Sequence, residues 1–509
     1  MSVPAGGIET EYGIALLGDD PSDPLHPMYL SHHVLKAWLD AHAAGRTGWD
    51  FSSEEPLSDA RGHRLGRSEA HPDQLTDIET GLVNTILPNG ARLYVDHAHP
   101  EYSGPEVTTA RDAVAWDVAG DTIVAEAGRL AEARLGRPVR LYKNNTDGKG
   151  QAYGCHENYL LHRETPFHRV VTQFTGFLVT RQVFTGAGRV GIGQGSEVAG
   201  FQIAQRADFF EREVGLETTM LRPIINTRDE PHADPKIYRR LHVITGDANR
   251  SEVATWLKFG TAALVLRAIS AGLLPRSRAE ELKLAHPVAA MHLVSHDLTC
   301  TAPLELADGS TCTALDFQQR WLELCRQYLA DHAADLTDAQ RSESAEVCDR
   351  WQQVLDGLRA DPYTLSDQLD WVAKLRLLES YRARDDLAWD AAKLALIDLQ
   401  YADVDPARSL YRRLTERGRM QRIVDDAAVR NARDHPPPDT RAWFRGRVMA
   451  KFGDRVRAAS WDSLILATGD GALHRVEMIE PLRGTRELTE QLVHRCDTVE
   501  ELLRALSGG

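Results

Sequence analysis

The chain has 509 residues, which is enough for more than one hydrophobic core. Its 59 basic and 74 acidic residues give a net charge of −15, which argues against sequence-independent nucleic-acid binding, because that binding depends on neutralising phosphates. No run of apolar residues is long enough to predict a membrane span, and the N-terminus lacks the basic and apolar regions of a signal peptide. Six scattered cysteines without a CxxC pair favour a reducing cytoplasm over a disulfide framework or a zinc site.

The first part of the chain predicts a strand at 6–17, an amphipathic helix at 29–42 and a strand at 89–102. A polar run at 45–83 separates the helix from the second strand, and it shows neither helical nor strand periodicity. A loop of that length is either functional or a tolerated surface insertion. A long helix at 109–135 follows, with periodic Ala, Val, Ile and Leu.

The middle of the chain predicts a strand–turn–strand unit at 140–162 with a Gly-rich polar turn. A helix near 168–183 and a strand at 238–246 come next. From about 253 to 430 helical patterns dominate, so this region is expected to be largely α-helical.

A triple proline at 436–438 marks a change of character in the chain. Beyond it, 440–509 is typical of a small α/β module, in which "AASWDSLILAT" predicts a strand. We therefore predict two domains, residues 1–434 and 435–509, with the 45–83 loop inserted into the first.

Four predicted strands each place polar side chains on one face through their period-two alternation. In "NGARLYVDHAHPEY" the side chains of Arg92, Tyr94 and Asp96 share one face of the strand. A single strand of this kind is often a solvated edge, and a single histidine is often structural. If the four strands are neighbours in one sheet, however, their polar groups converge on one surface: Glu9, Glu11, Arg92, Tyr94, Asp96, Glu101, His156, Asn158, Arg240 and His242.

Carboxylates that face one another repel, which raises one pKa or requires cations. Oxygen ligands with an occasional imidazole suit Mg²⁺ or Mn²⁺, and arginines suit a polyphosphate or a carboxylate. The sequence has no Walker A motif, so a bound nucleotide would lie on a sheet instead of a P-loop. Trp461 is either a core aromatic or a stacking partner for an adenine.

Several long motifs together resemble the Pup ligase/depupylase family: "GIETEYG", "NGARLYVDHAHPEY", "LYKNNTDGKGQAYGCHENY", "IINTRDEPHADPKIYRRLHVITGDANRSE" and "PPPDTRAWFRG". The resemblance runs from about residue 6 to the C-terminal helix. It implies the α+β fold of glutamine synthetase, with a large domain built on a curved, mainly antiparallel sheet backed by helices, plus a small C-terminal α/β domain. The insertion, with "WDFSSEEPLSDARGHRLGRS", resembles the deamidase branch of this family.

The same resemblance implies roles for individual residues. Asp96 matches the essential aspartate of the family. Positions that face magnesium are matched by Glu9, Tyr94 and Glu101, and further metal- or phosphate-facing positions by Glu11, His156 and His242. Nucleotide-binding positions are matched by Arg92 and Trp461, to which Arg206 and Arg240 are added, and Arg228 is expected to bind the modifier Pup.

The implied reaction is hydrolysis of the side-chain amide of Pup's C-terminal glutamine, and of the isopeptide bond between Pup and a lysine. ATP, or ADP with phosphate, and Mg²⁺ are the implied cofactors. Pup and pupylated proteins are the implied partners, with no nucleic acid and no membrane, and the expected location is the cytoplasm. Asp96 is either a nucleophile that forms a transient anhydride or a general base for water.

Three alternatives stay open at this point. The first is a Pup–protein ligase of the same fold. The second is a non-catalytic scaffold that binds Pup or a nucleotide, although a scaffold has no need of a self-repelling carboxylate cluster. The third is a small-molecule carboxylate–amine ligase.

Overall fold

The structure is a computed structural model, and it describes residues 5–18, 25–42, 47–71, 74–77, 80–274 and 280–508. The helices are α1 Pro27–Ala41, α2 Ala110–Leu135, α3 Phe167–Thr185, α4 Glu252–Ala271, α5 Pro287–His296, α6 Ala314–Asp331, α7 Asp338–Ala360, α8 Asp370–Asp385, α9 Ala392–Ala402, α10 Leu410–Glu416, α11 Asp426–Asp434, α12 Ala442–Phe452, α13 Arg486–Arg495 and α14 Val499–Leu506. The strands are β1 Gly6–Glu11, β2 Gly13–Leu16, β3 Gly48–Trp49, β4 Ser58–Asp59, β5 His63–Arg64, β6 Asn84–Ile86, β7 Arg92–Asp96, β8 His99–Ser103, β9 Val139–Tyr142, β10 Cys155–His162, β11 Arg189–Ile192, β12 Val198–Gln202, β13 Phe210–Gly215, β14 Arg222–Asn226, β15 Tyr238–Val243, β16 Leu304–Glu305, β17 Thr311–Cys312, β18 Val456–Ala459, β19 Ser463–Ala467 and β20 Leu473–Glu477.

The largest sheet, which we call the central sheet, has six strands in the order β15-β10-β1-β8-β7-β6. Every neighbouring pair in it is antiparallel. Because side chains alternate along a strand, one face of this sheet packs into the core and the other is free to carry polar groups. The predicted α+β class with a mainly antiparallel sheet is confirmed.

The apolar face of the sheet is covered by helices, among which α2, α3 and α4 contribute much of the core. Helix α2 begins where Thr109 accepts the amide hydrogen of Asp112, and it ends at Gly136, which adopts a left-handed conformation. Helix α4 is long and apolar enough to cross a membrane by length and composition alone. However, 89% of its apolar window is buried inside the protein, where the helix packs against α3.

The C-terminal segment forms a four-stranded sheet of order β20-β19-β18-β3. Its fourth strand comes from the insertion, because Ala458 and Ala459 pair in parallel with Gly48 and Trp49. Trp49 also joins the hydrophobic core of this unit. The insertion is therefore anchored at its start to the C-terminal unit, and the predicted domain boundary at 434/435 stays a prediction.

Two predicted strands in the N-terminal part are each divided in the structure. The 89–102 strand is a hairpin of β7 and β8, because His97 adopts a positive φ of 49° and reverses the chain between Asp96 and His99. The 6–17 strand is also divided: β1 belongs to the central sheet, whereas β2 pairs with β9. Period-two alternation in the sequence does not reveal such a change of pairing partner.

The strand–turn–strand unit predicted at 140–162 is present as β9 and β10, of which β9 pairs with β2, and β10 with β1 and β15. One further prediction needs correction. The "AASWDSLILAT" segment contains two strands, and Trp461 lies in the turn between them. Ser460 drives that turn, because its hydroxyl donates to Asp462 Oδ1 at 2.6 Å and accepts the Asp462 amide hydrogen.

Candidate functional site

A first row of polar side chains crosses the free face of the central sheet. Glu9 lies opposite His156 on one neighbouring strand and opposite Ser103 on the other, and Ser103 lies opposite Arg92. The Oε1 atom of Glu9 is 3.1 Å from His156 Nδ1 and 3.6 Å from His242 Nδ1. Although burial opposes its ionisation, the hydrogen bond to His156 holds the pKa of Glu9 well below its usual range.

A second row of polar side chains lies two residues further along each of these strands, and it contains more carboxyl groups than the first row. Glu11 lies opposite Glu101, and Glu101 lies opposite Tyr94. Glu11 accepts the Gly154 amide hydrogen at 2.7 Å and lies 3.0 Å from His99 Nδ1. Burial raises the pKa of Glu101 well above its usual range, and the negative charges of Asp96, Glu9 and Glu11 add to the effect.

Asp96 lies one step beyond the second row, opposite His99, where β7 turns into β8. Burial opposes its ionisation, but the neighbouring His97, 3.1 Å from Asp96 Oδ2, keeps the pKa of Asp96 below its usual range. Asp96 is therefore an anion at neutral pH. An anionic carboxylate is the form that attacks a carbonyl carbon or accepts a proton from water.

Two groups of side chains in these rows have the spacing of metal ligands. The donor atoms of Glu9, His156 and His242 lie within 4.8 Å of one another, and so do those of Glu11, Asp96 and Glu101. Burial, followed by the charge of Arg240, lowers the pKa of His242 well below its ordinary value, so its imidazole is neutral and able to ligate. Three close carboxylates, of which Glu11 and Glu101 are buried and Glu101 has a raised pKa, are also the arrangement that a divalent cation would relieve.

A first cavity of about 610 Å³ opens over one end of the sheet. Trp461 and Arg240 line it, together with Glu9, His232 and backbone of β1. Arg240 also donates to Asn158 Oδ1 at 2.5 Å, which fixes the guanidinium on the sheet surface. An aromatic wall facing a fixed guanidinium suits a planar ring that carries an anionic group.

A second cavity, of about 1690 Å³, opens over the other end of the sheet. Asp96, Glu11 and His156 line it on the sheet side, and Arg206 and Arg222 also border it. The two cavities meet at the sheet surface, because Glu9 of the first cavity is hydrogen-bonded to His156 of the second. Asp96 lines the second of these cavities only, and Glu9 and His156 join the two.

Arg206 and Arg222 make one side of the second cavity positively charged. Arg206 is 1% exposed, and its Nε has no hydrogen-bond partner among the described residues. Within the described ranges, the hydrogen-bond acceptors of the Arg222 guanidinium are the carbonyl oxygens of Thr218 and Ala152. Burial, followed by repulsion from Arg206, lowers the pKa of Arg222 to about 10. Two adjacent cations without a carboxylate in hydrogen-bond contact favour binding of an external anion.

Three arginines that the sequence predicts to bind a ligand do not line the cavity where that ligand was expected. Arg206 borders the second cavity, away from Trp461 and Arg240. Arg92 is held between the Trp49 ring, at 3.6 Å from its centroid, and the Tyr94 ring, at 3.8 Å. Arg228 lines neither cavity. Their predicted ligand-binding roles stay predictions.

Sequence reasoning assigned no role to several residues that the fold brings into the site. His99 contacts Glu11. Its position two residues before Glu101 could have predicted its place in the site, since alternate residues of a strand lie on the same face. Arg222 borders the second cavity, and Glu106 lines the first. For Glu54, which contacts Glu230, no local pattern gives a signal, because the two residues are far apart in sequence.

Comparisons with known proteins agree with this geometry. A family model described as "Pup-ligase protein" matches residues 5–465. The chain is 55% identical over 509 residues to the "Depupylase" of Acidothermus cellulolyticus, covering 99% of each chain. It is 48% identical to the "Pup deamidase/depupylase" of Mycobacterium tuberculosis, with 98% of each covered, and 41% identical to the "Pup--protein ligase" of Micrococcus luteus, with 81% and 89% covered.

Two solved structures share the fold. The complex between Pup and its ligase PafA superposes with a TM-score of 0.79 at 32% identity, covering 99% of this chain and 94% of that one. The ligase PafA in complex with ADP superposes with a TM-score of 0.73 at 35% identity, covering 81% and 89%. The polar sheet face, its two cavities and these matches over most of the chain lead to one conclusion: the chain belongs to the Pup-ligase family.

Proposed function

We propose that this protein is a Pup deamidase and depupylase. It hydrolyses the side-chain amide of Pup's C-terminal glutamine to glutamate and cleaves the isopeptide bond between Pup and a lysine of a conjugated protein. The observation that carries the proposal is Asp96, an anionic carboxylate in a cavity that also presents Arg206 and Arg222. The names of the relatives at 48% and 55% identity over nearly the whole chain support it.

One site serves both substrates because they share the same acyl half, the γ-carboxyl carbon of Pup's last residue. Asp96 either attacks that carbon, forming a transient anhydride that water then hydrolyses, or takes a proton from the attacking water. In both routes His97, in contact with Asp96 Oδ2, keeps the carboxylate anionic. The amide nitrogen leaves as ammonia from glutamine, or as the lysine amine from a conjugate.

Pup and its conjugates enter through the second cavity. Arg206 and Arg222 are placed to bind the free carboxylate of Pup's last residue, which orients the neighbouring amide toward Asp96. This cavity is the larger of the two. Arg228 does not border this cavity and acts electrostatically on Glu230 and His242, so its expected binding of Pup stays a prediction.

The first cavity would hold the nucleotide, ATP or ADP with phosphate, through Trp461 and Arg240, which suit an aromatic base and a phosphate. The ADP complex of a ligase of this fold supports that assignment. Mg²⁺ would be held by Glu9, Glu11 and Glu101, with Tyr94, His156 and His242 beside them, and it would neutralise carboxylate and phosphate charge when bound. The six cysteines are unpaired and buried, which supports a cytoplasmic location.

The ligase alternative shares the fold but is less well supported. The ligase of Micrococcus luteus is 41% identical over 81% of this chain, against 48% and 55% over 98% and 99% for the depupylases. A non-catalytic scaffold would not need the buried carboxylates around Asp96, which repel one another and raise the pKa of Glu101.

The test supplies glutamine-ended Pup, ATP and Mg²⁺ to the wild type, to Asp96→Asn and to a control, Asp349→Asn, whose carboxyl lies 73% exposed on α7. Pup is followed by intact mass. We expect conversion of the amide to the acid by wild type and control, and a loss of at least about 100-fold in Asp96→Asn. Pup–protein conjugates formed from glutamate-ended Pup, without amide hydrolysis, would instead make the protein a ligase.

A further inference from the structure

The insertion is fastened to the first cavity by a pair of carboxyl groups. Glu54 lies just after the short 3-10 turn Phe51–Ser53, and a carboxyl oxygen of Glu54, a carboxyl oxygen of Glu230 and a ring nitrogen of His232 lie within 4.8 Å of one another. Glu54 Oε1 also accepts from Trp49 Nε1 at 2.8 Å. Glu230 is 2% exposed and accepts the Glu55 amide hydrogen at 2.5 Å.

Both carboxyl groups connect directly to the wall of that cavity. The Nη2 atom of Arg240 lies 3.4 Å from Glu230 Oε2, and its Nε donates to the Glu230 carbonyl at 2.8 Å. His232 and Arg240 both line the cavity. On the other side, Trp49 packs edge-on against Trp461, with ring centroids 6.0 Å apart. Releasing Glu54 would therefore loosen Trp49 and Glu230 together.

Two carboxyl groups this close favour sharing a proton, because two negative charges side by side, one of them on the buried Glu230, would repel. Burial raises the pKa of Glu54 to about 8, and the charge of Glu230 adds to the effect. Burial opposes the ionisation of Glu230, but His232 and the guanidinium groups of Arg228 and Arg240 hold its pKa at about 2. At neutral pH Glu54 is therefore the acid and Glu230 the anion.

The charges around the pair favour a proton over a metal ion, although the spacing of Glu54, Glu230 and His232 would suit a ligand set. Burial lowers the pKa of His232 to about 4, so it contributes no cation at neutral pH. The charged groups that face the pair or His232 come from several elements: Arg92 of β7, Arg228 before β15, Arg240 of β15, Asp77 of the insertion, and Asp462 and Arg441 of the C-terminal unit. Three guanidinium groups close to Glu54 and Glu230 repel a divalent cation.

We propose that Glu54 is a positioning residue for the nucleotide: it donates its carboxyl proton to Glu230, and this bond holds the insertion against the wall formed by Arg240 and Trp461. The proposal rests on the proposed function, in which the first cavity takes the nucleotide. According to this proposal, the affinity for the nucleotide depends on the carboxyl proton of Glu54, which is not one of the carboxylates around Asp96. It also gives the insertion a defined task, which is to complete the nucleotide site.

The test compares wild type with Glu54→Gln, Glu54→Ala and the exposed control Glu69→Gln, by calorimetric titration with ADP and Mg²⁺ between pH 6 and 9. Gln keeps both hydrogen bonds without ionising, whereas Ala loses them. We expect wild type and control to lose affinity about tenfold by pH 9, because only the protonated form binds. Glu54→Gln should stay at the low-pH affinity of the wild type, and Glu54→Ala should bind weakly at every pH.

Matching pH profiles for wild type and Glu54→Gln would overturn the proposal, as would a Glu54→Gln variant that binds as weakly as Glu54→Ala. A second measurement needs no nucleotide: the infrared difference spectrum of wild type minus Glu54→Gln. We expect the carbonyl band of a protonated carboxyl group that disappears as the pH rises through about 8. A missing band refutes the shared proton, whereas a present band without ADP binding refutes only the nucleotide assignment of the proposed function.

Discussion

Replacing Glu106 by glutamine should detach the C-terminal unit from the sheet. Glu106 Oε1 accepts from Arg441 Nε at 2.7 Å, and Oε2 accepts from Arg445 Nη2 at 2.5 Å. Arg445 is completely buried and also donates to the carbonyl oxygen of Trp461. This single carboxylate therefore joins the strand end after β8 to helix α12 and to the tryptophan of the first cavity.

The size of the effect follows from the pKa of Glu106. Burial alone would raise this pKa, but the charges of Arg445 and Arg441 outweigh burial and lower it from 4.5 to about 2. At 1.36 kcal/mol per pKa unit, the ionised form is stabilised in the folded protein by about 3.4 kcal/mol. Glu106→Gln also leaves two buried guanidinium groups unpaired, so we expect a loss of about 3–5 kcal/mol in the free energy of unfolding at pH 7.

The pH dependence has a definite sign. Since the folded-state pKa is depressed, the stabilisation is fully present above about 4.5 and is lost as the pH falls toward 2. The assay is denaturant unfolding of the C-terminal unit, followed by tryptophan fluorescence at pH 7 and at pH 3. The gap between wild type and Glu106→Gln should shrink at pH 3.

Two variants sharpen this test. The exposed control Glu477→Gln should change stability by no more than about 0.5 kcal/mol. Adding Arg445→Met to Glu106→Gln removes the unpaired buried charge, so the double variant should be no less stable than the single one. A loss below about 1 kcal/mol in Glu106→Gln, or a loss equal at pH 7 and pH 3, would refute the reasoning.

Three further outcomes follow from the site. Trp461→Ala should raise the Kd for ADP about 2- to 12-fold, as expected for the loss of one aromatic stacking partner, and an unchanged calorimetric Kd would contradict the stacking role. Arg222→Met should raise KM for glutamine-ended Pup about 10- to 100-fold, the cost of a charged hydrogen bond, with partial recovery in Arg222→Lys and little change in kcat. Glu101→Gln should lower the number of Mn²⁺ ions bound per chain in a paramagnetic-resonance titration, and an unchanged number would remove Glu101 from the metal site.

The sequence by itself determined the local features of this protein. Period-two alternation placed Arg92, Tyr94 and Asp96 on one strand face, and the structure presents those side chains on the free face of the central sheet. The helices predicted at 29–42, 109–135 and 168–183 are found at Pro27–Ala41, Ala110–Leu135 and Phe167–Thr185. These features succeed because the period of the apolar residues and the capping groups reside in the segment itself.

Tertiary structure alone decided which segments meet. The central strand order β15-β10-β1-β8-β7-β6 is not the chain order, and it alone sets Glu9 beside His156. It also places Glu54 against Glu230 and puts Trp461 in a turn instead of a strand. A local pattern specifies which face of a strand is apolar but not which neighbour covers it. That choice depends on burying all the apolar faces at once while every buried charge finds a partner.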